Sequence, residues 1–158
     1  DNEVIKRLKQ FTFLPLEDIY QIEKDFLNEP EKRLAQKTLA KEITTFVHGE
    51  KAYAQALRIS QALFDGNIKE LTAEEIEMGF NDLPCISALE NETLLDAIIR
   101  LKLASSKREG REFIVGGAIS VNGEKITDSN VILTSQMAIG EKYIVIRRGK
   151  KKYGMVKF

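Results

Sequence analysis

The chain has 158 residues, 43% hydrophobic and 30% charged, which allows one ordinary domain or two small ones and excludes intrinsic disorder. No apolar run approaches the roughly 18 residues that a helical membrane span needs, so no membrane partner is expected. Lys+Arg and Asp+Glu both number 24, yet the two halves differ, with net −5 over 1–85 and net +5 over 86–158. Such asymmetry predicts two modules, the second facing something anionic. A single Cys, Cys85, cannot make an internal disulfide or a multi-Cys zinc site, and the reducing cytoplasm is the expected compartment. Position 1 is Asp and no apolar leader follows it, so a fragment or processed product without an export signal is expected.

In chain order, the first half reads as helices. Asp1 and Asn2 are candidate caps before Val4, Ile5, Leu8 and Phe11, which recur at helical spacing. Pro15 ends that segment, and Leu16, Ile19, Tyr20, Phe26 and Leu27 predict a second helix closed by Asn28-Glu29-Pro30. A third helix is expected to start at Pro30, whose missing N–H costs nothing in a first turn, and to stop at Gly49. A fourth is expected over 51–64, and the Thr72-Ala73-Glu74-Glu75 capping box opens a short fifth. Over 81–92 the periodicity lapses around Pro84. Residues 82–92 are therefore expected to link an all-α module, 1–81, to a second module, 93–158.

The second module changes style. Thr93 with Asp96 caps a helix bearing Leu94, Leu95, Ile98 and Leu101, and Ser106 with Glu109 reads as a second capping box. That next helix should end at Gly116-Gly117. Alternation over 118–121 runs into Asn122-Gly123, a strong hairpin signal. Further strands are predicted at 131–133 and, as a hairpin around Gly149, at 143–146 and 153–158. The fold class is α+β: a helical module followed by two helices and a small antiparallel sheet.

The inventory for catalysis is poor. His48 is the only His, and its place at a helix C-terminus suits bonding to terminal carbonyls. Ser/His and Cys/His nucleophile systems, zinc frameworks, the Gly-x-x-x-x-Gly-Lys loop and the Gly-x-Gly fingerprint all lack their parts. No catalytic residue and no metal ligand is expected. The basic residues are more informative. Lys107, Arg108 and Arg111 fall within about 100° of one another at 3.6 residues per turn. They lie at a helix N-terminus, where positive charge is unfavourable and an incoming phosphate would offset it. Arg147, Arg148, Lys150, Lys151 and Lys152 concentrate charge around Gly149. These eight residues are the candidate RNA contacts, set against lysine protection of an edge strand and an acidic protein partner. Aromatic residues nearby are few, Tyr143 and Tyr153, so stacking is not strongly signalled.

Leu95-Asp96, the 104–108 run Ala-Ser-Ser-Lys-Arg and the 117–123 run Gly-Ala-Ile-Ser-Val-Asn-Gly resemble the ribosomal-protein-type (S-four) RNA-binding domain. Phe11-Thr12-Phe13-Leu14, the 30–37 run from Pro30 to Lys37, Val47-His48-Gly49-Glu50 and the 147–153 run Arg-Arg-Gly-Lys-Lys-Lys-Tyr resemble the C-terminal third of bacterial tyrosyl-tRNA synthetases. The resemblance implies a helical anticodon-binding domain ahead of an S-four domain, with tyrosine tRNA as partner, bound at its anticodon region and long variable arm. It also implies that ATP- and Mg-dependent tyrosine–tRNA ligation, and most of the homodimer surface, belong to a catalytic domain absent here. This piece would then need no cofactor and would be monomeric. A free-standing S-four regulator and a protein-interaction module with a basic tail are the alternatives. The sequence departs from the family pattern at Lys102, Gly110 and Gly116, where many relatives carry Gly, Ala and a polar residue.

Overall fold

A computed structural model describes residues 3–158, so the capping expected of Asp1 and Asn2 lies outside the described residues. The chain divides into two compact units, Asp1–Leu57 and Arg58–Phe158. The first holds α1 (Val4–Phe11), α2 (Leu16–Asn28), α3 (Leu34–His48) and the start of α4 (Glu50–Asp65). Its buried core is small: Val4, Leu8, Ile19 and Ala35, with Ile5, Leu14, Ile22, Phe26 and Leu39 partly buried around them. Pro30 opens a separate 3-10 turn, Pro30–Lys32, rather than α3. Arg33 at φ 52° lies in the left-handed region, which no helix interior admits, so α3 starts one residue later. Gly49, at φ 86°, ends α3 where the sequence predicts.

The second unit is built on a five-stranded sheet. Its strands are β1 (Cys85–Ser87), β2 (Ile119–Val121), β3 (Glu124–Lys125), β4 (Tyr143–Arg148) and β5 (Lys152–Lys157), in the order β1-β5-β4-β2-β3. Asn122 and Gly123, both at positive φ, turn β2 into β3, and Gly149 at φ 60° turns β4 into β5. The sheet is mixed rather than antiparallel, because β1 lies parallel to β5, with Ile86 opposite Val156. The expected linker thus contributes an edge strand. The strand expected at 131–133 joins no sheet: Leu94 N–H donates to Val131 O and Leu133 N–H to Glu92 O, which spends its backbone on the approach to the helix that starts at Leu94.

Period-two alternation sends neighbouring strand residues to opposite faces. On one face, Ile119, Val121, Ile144, Ile146 and Val156 form a core with α6 (Leu94–Arg100) and α7 (Lys107–Val115). On the other, Tyr143, Val145 and Met155 pack with Ile59, Ala62, Ile68, Leu71, Ile76 and Phe80. The latter six come from the end of α4, a 3-10 turn (Ile68–Glu70) with Leu71 just after it, and α5 (Ala73–Phe80). Residues 58–81, assigned by periodicity to the helical module, therefore belong to the second unit, and the division falls at 57/58 instead of 82–92. Their apolar stripe is covered by the sheet, which a reading of helix spacing does not reveal. The boundary also redistributes charge: 9 basic and 10 acidic residues precede it, and 15 basic and 14 acidic follow, so neither unit has a marked net charge.

Candidate nucleic-acid interface

The site starts with how α6 and α7 are capped. Thr93 Oγ1 accepts from Asp96 N–H at 3.2 Å and donates to the Asp96 carboxylate at 2.7 Å. Ser106 Oγ accepts from Glu109 N–H at 3.3 Å, but the Glu109 carboxylate turns to Ser105, taking its N–H and its hydroxyl at 2.6 Å each. The second capping box is therefore not reciprocal. Between the helices Lys102 stands at φ 57°, the left-handed position where glycine is cheapest. Gly110 is buried and lets α7 approach α6 closely: a Cβ there would sit 2.6 Å from Leu95 Cδ1 and 3.2 Å from Ile98 Cδ1. The helix-propensity loss of about 1 kcal/mol expected at that glycine is thus set against close packing.

At 3.6 residues per turn, Gly110 and Ile114 point to the core, and the remaining α7 positions fall on two flanks and a crest. Lys107 and Arg111 occupy the α6 flank. There Lys107 Nζ lies 2.9 Å from Asp96, whose carboxyl is held below its ordinary range by the Thr93 hydroxyl and by Lys107, with Arg111 adding its charge. Because that folded-state pKa is depressed, the associated stabilisation is present above the unfolded value and is lost as pH falls through the folded one. Arg108 is on the crest, exposed, 3.3 Å from Glu112. Glu109 and Phe113 occupy the other flank, facing the β4–β5 turn. The Glu109 carboxyl is lowered by its Ser105 bonds first, then by Arg148 and Lys152.

Arg148 is fixed at two points. Its guanidinium carbon lies 4.6 Å from the Phe113 ring centre, and Nη1 donates to Leu103 O. Gly149 N–H donates to Ala118 O at 2.9 Å, which ties the turn to the end of α7. A shallow groove of about 370 Å³ results, floored by Phe113 and Ala118 and walled by Arg148 and Lys150, Lys151 and Lys152. The three lysines are exposed, and Lys150 and Lys151 have no ion pair among the described residues.

The structure thus brings Arg148, Lys150, Lys151 and Lys152 together and sets Lys107 and Arg111 on the far flank of α7, with Arg108 between. Arg147 does not join them. It shares its sheet face with Val145, opposite Tyr153 and beside Ser120, on the side that α5 covers. Phe113 was missed in the sequence; its only signal is its place one turn beyond Glu109 on the flank facing the hairpin. Tyr143 is buried and Tyr153 packs edge-on to Phe80 at 6.3 Å, so neither aromatic noted in the sequence lies at the basic groove. A larger groove of about 530 Å³ at the β1 edge, lined by 87–91, 132–135 and 157–158, holds none of the eight residues. Among the described residues no group of three or more His, Cys, Asp or Glu is arranged to hold a metal, and no helix is long and apolar enough to cross a membrane.

A small α+β unit with a cation-lined ridge and turn is the class that this geometry defines. Residues 75–156 match the model of the tyrosine–tRNA ligase SYY-like C-terminal domain, and the chain belongs to that family. It is 48% identical over 160 residues to a tyrosine–tRNA ligase of Bacillus pumilus, 49% over 160 to tyrosine–tRNA ligase 2 of Enterococcus faecalis, and 48% over 159 to the ligase of Geobacillus stearothermophilus. Each match takes in 100% of this chain and 38% of the relative, so the chain spans under two fifths of their length. A solution structure of a tyrosyl-tRNA synthetase C-terminal domain is 41% identical, with a TM-score of 0.49, over 58% of this chain and 93% of that one.

Proposed function

We propose that the chain is the tRNA-binding C-terminal part of a tyrosyl-tRNA synthetase. In this reading it holds tyrosine tRNA by its anticodon region and long variable arm for a catalytic domain outside this sequence. That domain would bind ATP and Mg, attach tyrosine and carry most of the homodimer surface, and the whole would work in the cytoplasm. The helical residues 1–57 would meet the anticodon region. The second unit would grip phosphates with Lys107, Arg108 and Arg111 on α7 and Arg148, Lys150, Lys151 and Lys152 at the turn. Arg147, on the covered face, is the weakest of the eight candidates. The single observation that carries the reading is the cation-lined turn locked against α7 in a chain alike along its whole length to tyrosine–tRNA ligases. A free-standing regulator built on the second unit alone would not account for likeness through residues 1–57.

Each phosphate neutralised releases counterions, with a log–log salt slope of roughly −0.7 to −0.9 per contact. Titrating tyrosine tRNA at three salt concentrations should give a slope of about −3 to −5, for about four to six contacts. Replacing Lys150, Lys151 and Lys152 with Ala should flatten it by about two units. Thermal stability should hardly change, since exposed charges contribute little to folding. Unaltered affinity with more aggregation would instead mark the lysines as edge protection.

A further inference from the structure

Phosphate contacts alone require neither an apolar floor nor an immobilised guanidinium, yet the groove beside the β4–β5 turn has both. Resting on the RNA-binding reading above, we propose that this groove takes one unpaired nucleotide of the RNA, its base stacked on the Arg148 guanidinium and its flanking phosphates on Lys150, Lys151 and Lys152. The Arg148 guanidinium carbon lies 4.6 Å from the Phe113 ring centre and Nη1 donates to Leu103 O, so the planar group is held at two points with little left to order on stacking. Arg planes and aromatic rings are the surfaces on which splayed RNA bases stack. A paired base has both faces covered by its neighbours and cannot use such a platform. Gly149 lines the groove at φ 60°, and a Cβ added there meets nothing within 4 Å, so the approach is open on that side. Charge complementarity selects the occupant: an apolar peptide would leave three lysines unmatched, whereas a nucleotide brings a flat apolar face and anions together.

The test uses the full chain and two synthetic RNA hairpins, one carrying a single unpaired 2-aminopurine and the other the same base in a pair. The unpaired hairpin should bind at least about five-fold more tightly, the lower end of what one stacked base contributes. Its fluorescence should be quenched on binding, a readout in the unaltered protein. Arg148→Lys keeps the charge and loses the plane, and the preference should fall to within about two-fold. If circular dichroism finds that variant unfolded, Phe113→Leu, which removes the ring beneath the guanidinium, takes its place. Equal affinity for the two hairpins without quenching, or a preference that survives Arg148→Lys, overturns the nucleotide site while leaving RNA binding intact. Failure of both hairpins to bind overturns the nucleotide site alone where the same chain still binds tyrosine tRNA, and overturns the RNA-binding reading with it where that tRNA also fails to bind.

Discussion

On one face of the five-stranded sheet, Ile144, Ile146 and Val156 meet α6 and α7; on the other, Tyr143, Val145 and Met155 meet Ile68, Ile76 and Phe80. Both faces are sealed by aliphatic and aromatic side chains, and they differ in what the covering layer carries outward. The α7 layer and the adjoining turn present Lys107, Arg108, Arg111, Lys150, Lys151 and Lys152. Residues 58–82, the other layer, hold six acidic residues and two basic ones. Cations near that layer pair with carboxylates, Lys69 with Glu124 at 2.5 Å, Lys142 with Glu77 at 3.1 Å and Arg58 with Glu75 at 3.4 Å. On the α7 layer Lys107 and Arg108 pair with Asp96 and Glu112, and among the described residues Lys150 and Lys151 at the turn have no ion pair. Charge in this unit is organised by sheet face. Splitting the chain at 85 yields an apparent contrast between modules because it separates the acidic cover from the sheet it covers.

The largest effect should come from removing one of the two layers. Without residues 58–92 the sheet loses Ile68, Leu71, Ile76 and Phe80, all buried, together with β1. Fully burying each such side chain is worth about 1.5–3 kcal/mol, and a whole domain is stable by only about 5–15 kcal/mol. The fragment 58–158 should therefore melt cooperatively, whereas 93–158 should give a poorly dispersed NMR spectrum and no cooperative transition. A dispersed spectrum from 93–158 would return the boundary to 82–92.

A smaller effect should separate two adjacent arginines. Arg148→Ala removes a groove wall and should weaken tyrosine-tRNA binding at least about five-fold, with a loss of about 0.7–0.9 in salt slope. Arg147→Ala, on the α5 side, should change affinity by less than about two-fold. Equal losses would mean that strand alternation does not decide which of them meets RNA. A further expected change is a gain: Asp96→Asn frees Lys107 from its carboxylate, and an exposed ion pair of about 0–1 kcal/mol sets the ceiling at about a five-fold increase in affinity. Weaker binding by that variant would show that Asp96 positions Lys107 rather than competing for it.

Much of this was legible in the sequence where local chemistry decides. The caps Thr72, Thr93 and Ser106, the Asn122-Gly123 turn and the glycine stops all act within a few residues. The fold class follows from them, and the family likeness rests on the runs at 11–14, 30–37, 47–50, 95–96, 104–108, 117–123 and 147–153. What was not legible depends on contacts far apart in the chain. Periodicity marks an apolar stripe on residues 58–80 but does not say which surface covers it, so the domain boundary was misplaced. Cys85–Ser87 is too short and irregular to declare a strand, and it becomes one only because the β5 edge is available. At the site, Lys107, Arg108 and Arg111 appear as one cluster on a helical wheel, but the packing of Gly110 against Leu95 assigns the flanks. The neighbouring Arg147 and Arg148 look equivalent until the register of β4 sends them apart.

The central claim is that RNA meets the α7 and turn face of the second unit and leaves the α5 face uncovered. Amide hydrogen exchange of the full chain, with and without tyrosine tRNA, tests it most directly, because both faces are read in one experiment. Added protection should concentrate at 102–118 and 147–152, with 68–80 unchanged. Protection appearing on 68–80 while 147–152 exchanges as in the free protein would contradict the account.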